Sequence, residues 1–296
     1  MSFITQIRNK VLVTVVRWVA GSSVGASNNS THQDETRYVQ SRETDRTIKV
    51  HVYKPSDVLE PSPVLINFHG SGFVMYMHGT DDEYALRVAR DTHCTVLDVQ
   101  YRLAPEHPYP AALHDAEDVI RYVLARPQEF DAGSIAISGF SAGGNFALGL
   151  SGHVFPQNTF RHVLAFYPPT DLAKDPRTKV APDTSGEPLA TWMTDIFNDC
   201  YIPEGTDKKE PLISPYYIAG DKFPASMFFI TCAQDNLAPE TEELVDNIKR
   251  SPGKHVVHRR VELCGHAWDK SYKPGTPQEK AKDDAYTLAV EFLNKK

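Results

Sequence analysis

Ser138-Gly139-Phe140-Ser141-Ala142-Gly143-Gly144-Asn145 is the stretch on which the architecture of this chain turns. The short apolar run Ser134-Ile135-Ala136-Ile137 precedes it and reads as a buried strand. Phe146-Ala147-Leu148-Gly149-Leu150 follows, with helix-forming alanine and leucine. Strand, sharp turn and helix therefore meet at Ser141, inside the spacing Gly-x-Ser-x-Gly. A serine at the tip of such a turn has a strained backbone and an exposed Oγ, and the flanking glycines admit close neighbouring backbone. Alone, the pattern fits any glycine-rich turn before a helix. The surrounding chain has to supply the rest.

A length of 296 residues suits one large α/β domain with an insertion. The chain is 41% hydrophobic and 23% charged, as ordinary globular proteins are. Its net charge of −7, with no basic run, argues against nucleic-acid or anionic-membrane partners. Cys94 and Cys232 sit in apolar runs, as buried thiols do. No Cys-x-x-Cys or His-Glu-x-x-His spacing supports a metal site. No stretch is long enough to span a membrane. Ile4, Ile7, Val11, Val15 and Trp18 recur with a helical period, and Arg17 interrupts what would otherwise read as a signal peptide. The expectation is an amphipathic helix packed over the protein's own cleft, in a cytoplasmic protein, with secretion left open.

Outward from the elbow, strands and helices alternate. Thr47–Tyr53, Val64–Phe68, Thr95–Val99, Ser134–Ser138, His162–Phe166, Ser226–Cys232 and Val256–Leu263 read as strands. Asp81–Asp91, Ala111–Ala125, Ala238–Lys249 and Pro277–Leu293 read as helices. Residues 21–45 are polar and read as a loop or short helix. Residues 170–222 break the rhythm with proline and charge around one aromatic helical piece, Leu189–Tyr201. Alternation of this kind implies an α/β protein with a mostly parallel sheet covered by helices on both faces.

A serine hydroxyl is a poor nucleophile at neutral pH. It needs a base, an orienting carboxylate, and donors for the oxyanion. His266, in Gly265-His266-Ala267, follows the last strand, where a loop at the carboxyl edge of the sheet reaches the elbow. Asp235 follows the preceding strand, about one strand–helix–strand unit earlier; Glu240 and Asp269 are the alternative acids. After Val64–Phe68, His69-Gly70-Ser71-Gly72 offers backbone that can approach a substrate, with Ser71, Gly72 and Ala142 as the expected N–H donors.

These pieces resemble the hormone-sensitive-lipase-like family of α/β-hydrolase carboxylesterases of microbial and fungal type. His69-Gly70-Ser71-Gly72-Phe73 looks like the family's His-Gly-Gly-Gly-Phe/Trp. Tyr101-Arg102-Leu103-Ala104-Pro105-Glu106-His107-Pro108-Tyr109-Pro110-Ala111-Ala112-Leu113 is similar to its long signature, where it serves as a buttress beside the active-site loops. Ser71 replaces the family's middle glycine, Phe140 stands where many members carry Asp or Thr, and Pro239 interrupts the usual acidic pair. The resemblance implies an α/β-hydrolase fold with a helical cap. Residues 1–45 and 170–222 would form the cap, and 46–169 with 223–296 the catalytic domain. It also makes Phe73, Tyr76, Tyr167, Trp192, Met193, Phe197 and Tyr201 candidates for an apolar substrate pocket.

The expectation is thus a serine carboxylesterase for short- to medium-chain esters. Ser141 attacks, His266 is the base, Asp235 orients it, and no metal or cofactor is needed. The partner is a small-molecule ester, and a homodimer is left open by the family's habit of pairing through an edge strand or the last helix. The same site would serve a lactonase, an amidase or a secondary-metabolite esterase. A non-catalytic receptor on this fold would have lost the histidine that His266 supplies.

Overall fold

The computed structural model describes residues 11–14, 17, 32–58 and 60–295. Eight strands form one sheet: β1 (Glu35–Gln40), β2 (Thr47–Tyr53), β3 (Ser62–Phe68), β4 (Thr95–Val99), β5 (Phe130–Phe140), β6 (His162–Phe166), β7 (Ser226–Cys232) and β8 (His255–Val261). Their spatial order is β1-β2-β4-β3-β5-β6-β7-β8. The pairs from β4 and β3 through β8 are parallel, whereas β1–β2 and β2–β4 are antiparallel.

Six helices are described in full: α1 (Asp82–Thr92), α2 (Ala111–Leu124), α3 (Ala142–Gly149), α4 (Thr191–Tyr201), α5 (Ala238–Lys249) and α6 (Pro277–Leu293), and all but α4 pack on the sheet. The central strands alternate sides, as the pleat requires. In β3, Val64, Ile66 and Phe68 join the core beneath α2, α3 and α5, while Leu65 joins the core beneath α1 and α6. Both faces of the sheet are thereby buried, which is why its strands read as unbroken apolar runs. Helix α3, which starts at the elbow, is buried along its whole length. None of the four cysteines forms a disulfide.

Two expectations are corrected. Residues 35–40, assigned to the N-terminal part of a cap, form the edge strand β1 of the main sheet. Only Val39 is buried there, so the strand carries too little apolar signal to be read. Strand β5 begins at Phe130, earlier than Ser134. Of the N-terminal helix, residues 11–14 and 17 are helical; the rest of that expectation lies outside the described residues. Arg17 donates to the carbonyl oxygens of Val74 (2.7 Å) and Ala104 (2.8 Å) and pairs with Glu106.

Candidate active site

Ser141 occupies the turn between β5 and α3 with φ 48° and ψ −117°, outside the usual regions for a residue with a side chain. Neighbouring backbone holds it there. Its N–H donates to Phe166 O (2.9 Å), and its carbonyl accepts from Asn145 N–H (3.0 Å). The turn is tight enough that a Cβ on Gly143 would stand 1.9 Å from Phe68 O, and one on Gly139 would stand 2.2 Å from Gly143 C. Only glycine fits at either position.

Neighbouring loops at the carboxyl edge of the sheet bring the other groups in. Ala233 N–H donates to Val261 O (2.9 Å) and Gln234 N–H to Cys264 O (3.0 Å), which laces the loop after β7 to the loop after β8. His266 Nε2 lies 2.8 Å from Ser141 Oγ, and His266 Nδ1 lies 2.7 Å from Asp235 Oδ2. The other Asp235 oxygen accepts from Leu237 N–H (3.0 Å), which fixes the carboxylate. Asp235 is buried, and Ser141 is only 8% exposed.

The alternative acids are engaged elsewhere. Glu240 pairs with Lys179 Nζ at 2.6 Å. Asp269 accepts from Tyr167 (2.6 Å) and Tyr286 (2.7 Å) and pairs with Lys270 (3.0 Å). Lys270 also reaches Asp81 (2.8 Å) and lies 3.9 Å over the Phe140 ring. Burial pulls the Lys270 ammonium's pKa down, but the Asp269 and Asp81 charges outweigh it, and the net shift is upward. Phe140 therefore packs beneath a charged lysine.

The loop after β3 faces Ser141. Ser71 Oγ lies 2.8 Å from Tyr101 OH and accepts from Phe73 N–H (2.9 Å), and Tyr101 OH donates to His69 O (2.6 Å). The serine that replaces a glycine is thus a fastening for the loop. Ala104 N–H adds a bond to Phe73 O (2.9 Å), so the 101–113 segment supports this loop from behind. The N–H groups of Gly72 and Ala142 make no hydrogen bond among the described residues.

A cavity of about 220 Å³ opens onto Ser141 and His266 and is lined mainly by apolar side chains. Phe73, Tyr167, Met193 and Phe197 line it, as expected from the sequence. Three expected residues do not. Tyr76 is 61% exposed and lies beneath the Arg17 guanidinium, 4.2 Å from its ring centre. Trp192 is 57% exposed. Tyr201 is buried but stacks on Phe73 with ring centres 3.9 Å apart. For Trp192 the reason is helical phase: Met193, Phe197 and Tyr201 follow one another at intervals of four on the inward stripe of α4. Trp192 is a hundred degrees off that stripe. Leu172, Leu189 and Leu237 also line the cavity, and no local signal set these leucines apart from core residues. Trp192→Ala should leave kcat/KM on p-nitrophenyl butyrate within twofold and stability within about 0.5 kcal/mol. Parallel kinetics and melting curves check this.

A strained elbow serine at the carboxyl edge of a mostly parallel sheet, facing a histidine and a buried aspartate, defines an α/β hydrolase. Comparison with known proteins agrees: the chain belongs to the α/β-hydrolase fold family, whose profile matches residues 65–270, within its hormone-sensitive-lipase-like branch. It is similar to an AB hydrolase superfamily protein of Schizosaccharomyces pombe, 28% identical over 69% of this chain and 62% of that one. It is also similar to the ethyl acetate hydrolase of Pseudomonas putida, 30% identical over 63% of this chain and 61% of that one. The match thus spans less than two thirds of either relative. Among solved structures, the Pyrobaculum calidifontis esterase superposes with a TM-score of 0.80 at 26% identity, covering 99% of this chain and 98% of that one. Among the described residues, no helix is long and apolar enough to cross a membrane.

Proposed function

We propose that this protein is a serine carboxylesterase that hydrolyses short- to medium-chain carboxylic esters through an acyl-enzyme. The observation that carries the reading is the continuous chain Ser141 Oγ–His266 Nε2 (2.8 Å) and His266 Nδ1–Asp235 Oδ2 (2.7 Å), opening into an apolar cavity. Ser141 Oγ attacks the ester carbonyl while His266 Nε2 takes its proton. Asp235 holds the Nδ1–H tautomer and stabilises the imidazolium. The N–H groups of Ser71, Gly72 and Ala142 receive the oxyanion. His266 then protonates the departing alcohol. Water, deprotonated in turn by His266, releases the acid and restores Ser141.

The short chain length is supported by the cavity, which at about 220 Å³ is smaller than the usual range for drug-sized ligands. The name of the Pseudomonas putida relative, an ethyl acetate hydrolase, points the same way. Phe197 limits the space over the loop after β3: its ring atoms stand 2.5 Å from where a Cβ of Gly72 would lie. Phe197→Ala should therefore shift the preferred p-nitrophenyl ester to a longer acyl chain, raising kcat/KM for the decanoate relative to the butyrate by about tenfold. An unchanged chain-length profile would remove Phe197 from this role.

The deciding test is intact mass after treatment with a fluorophosphonate. One adduct is expected on the wild type and none on Ser141→Ala. A folded wild type that takes no adduct would rule out an activated serine.

A further inference from the structure

Behind the loop after β3, on the side away from Ser141's cavity, a second group of side chains converges. His51 of β2 and Asp98 of β4 are direct partners in the antiparallel register. Their side chains therefore rise from the same face of the sheet, close together. His78, from the segment that continues the His69–Phe73 loop, closes over them. Its Nε2 lies 3.3 Å from Asp98 Oδ2 and 3.1 Å from Asp98 O. The His51 and His78 ring centres are 4.0 Å apart. One donor atom from each of the three residues lies within 4.8 Å of the others.

These groups are incompletely satisfied. His51 is 8% exposed, yet neither of its ring nitrogens has a hydrogen-bond partner. Asp98 Oδ2 has no hydrogen bond and only His78 Nε2 beside it, at 3.3 Å. A buried imidazole with two idle nitrogens costs stability unless something binds there. The surrounding charge points to what that is. Asp81, Asp82 and Asp98 are all buried in this region, and Lys270 divides its ammonium between Asp81 and Asp269.

We propose that His51, His78 and Asp98 form a binding site for a divalent transition-metal ion of the zinc class. Two nitrogens and one carboxylate oxygen are the donor set that such an ion prefers over magnesium or calcium. Tetrahedral bonds of about 2.0 Å set donors roughly 3.3 Å apart. His78 Nε2 and Asp98 Oδ2 stand at that separation, and the ion would replace the Nε2–H bond to Asp98 O. The second Asp98 oxygen accepts from Asn67 Nδ2 (2.8 Å), which orients the ligand from outside. A groove of about 670 Å³, bordered by Tyr38, Lys49, Met77 and Gln100, leads in from the surface and leaves the fourth position to water. The ion ties the β2–β4 pair to the segment that continues the loop facing Ser141. Its role is structural, and the ester chemistry does not pass through it. Sequence spacing could not reveal the trio, because its members come from two strands and a loop.

The test uses the full chain, stripped of metal with a chelator, and zinc itself. Competition with a chromophoric chelator should give one Zn²⁺ per chain, and zinc but not magnesium should raise Tm. Both effects should persist in His266→Ala, which separates this site from a zinc ion bound at the active centre. His51→Ala and His78→Gln should each weaken binding at least about 100-fold while keeping the native circular dichroism. Cobalt(II) on the wild type should give the visible bands of a tetrahedral nitrogen–oxygen site, a readout that stands even if a variant fails to fold. No binding to the wild type, zinc lost with His266→Ala, or zinc retained by folded His51→Ala and His78→Gln would each overturn the proposal.

Discussion

Ser141→Ala is expected to lower kcat on p-nitrophenyl butyrate by about 10⁵-fold or more, with Tm nearly unchanged. Alanine keeps the Cβ and so tolerates the same φ of 48° as the serine does. The backbone bonds to Phe166 and Asn145 do not involve the hydroxyl. The substitution therefore removes the nucleophile and little else. The His266–Asp235 pair and the N–H donors remain, and they account for whatever rate survives. Asp235→Asn should cost about 10⁴-fold, because an amide stabilises the wrong imidazole tautomer and cannot balance the imidazolium. Steady-state kinetics and melting curves on the purified variants decide the point. A Ser141→Ala enzyme that retained a tenth of the wild-type rate would sink the proposed mechanism.

The second large effect falls on stability. Lys270→Met removes the ammonium shared by Asp81 (2.8 Å) and Asp269 (3.0 Å) and leaves both carboxylates buried without it. Breaking a buried ion pair from one side typically costs about 3–5 kcal/mol. In a chain of this size that corresponds to a fall in Tm of roughly 6–15 °C. The contact over the Phe140 ring at 3.9 Å is lost as well. The sign of the pH dependence follows from the upward shift of Lys270. A group whose pKa is raised by folding contributes fully below its unfolded value, here near 10.5, and loses that contribution only as pH climbs beyond it. The gap in Tm between wild type and variant should therefore be constant from neutral pH to about 9 and narrow at higher pH. A variant as stable as the wild type at pH 7 would mean that the two carboxylates are compensated by other groups.

Much of this was legible in the sequence because it is encoded by near neighbours. The strand–turn–helix at Ser141 depends on glycines two residues to either side between an apolar run and helix formers, so the local sequence predicts it. Each strand buried on both faces announces itself as an apolar run. Once strands and helices alternate, residues that follow successive parallel strands must share one edge. The order of motifs was therefore enough to expect Asp235 and His266 near Ser141, and in the structure they adjoin it. Edge strand β1, with Val39 as its one buried residue, carried no such run.

Only the tertiary structure decided matters that depend on which residues face one another across the chain. Phe73 and Tyr201 are both aromatic candidates by sequence, yet one lines the cavity and the other packs behind it, because Tyr201 lies one turn beyond Phe197 on α4 and stacks on Phe73. Ser71 reads only as a departure from the family's glycine until Tyr101 is seen to hold its hydroxyl. Lys270 is an unremarked residue past the histidine until Asp81, Asp269 and Phe140 surround it. His51 and Asp98 become neighbours only when β2 pairs with β4 in one register. Local sequence sets backbone period and turn chemistry, but the burial and pairing of a polar or aromatic side chain are settled by partners far away along the chain.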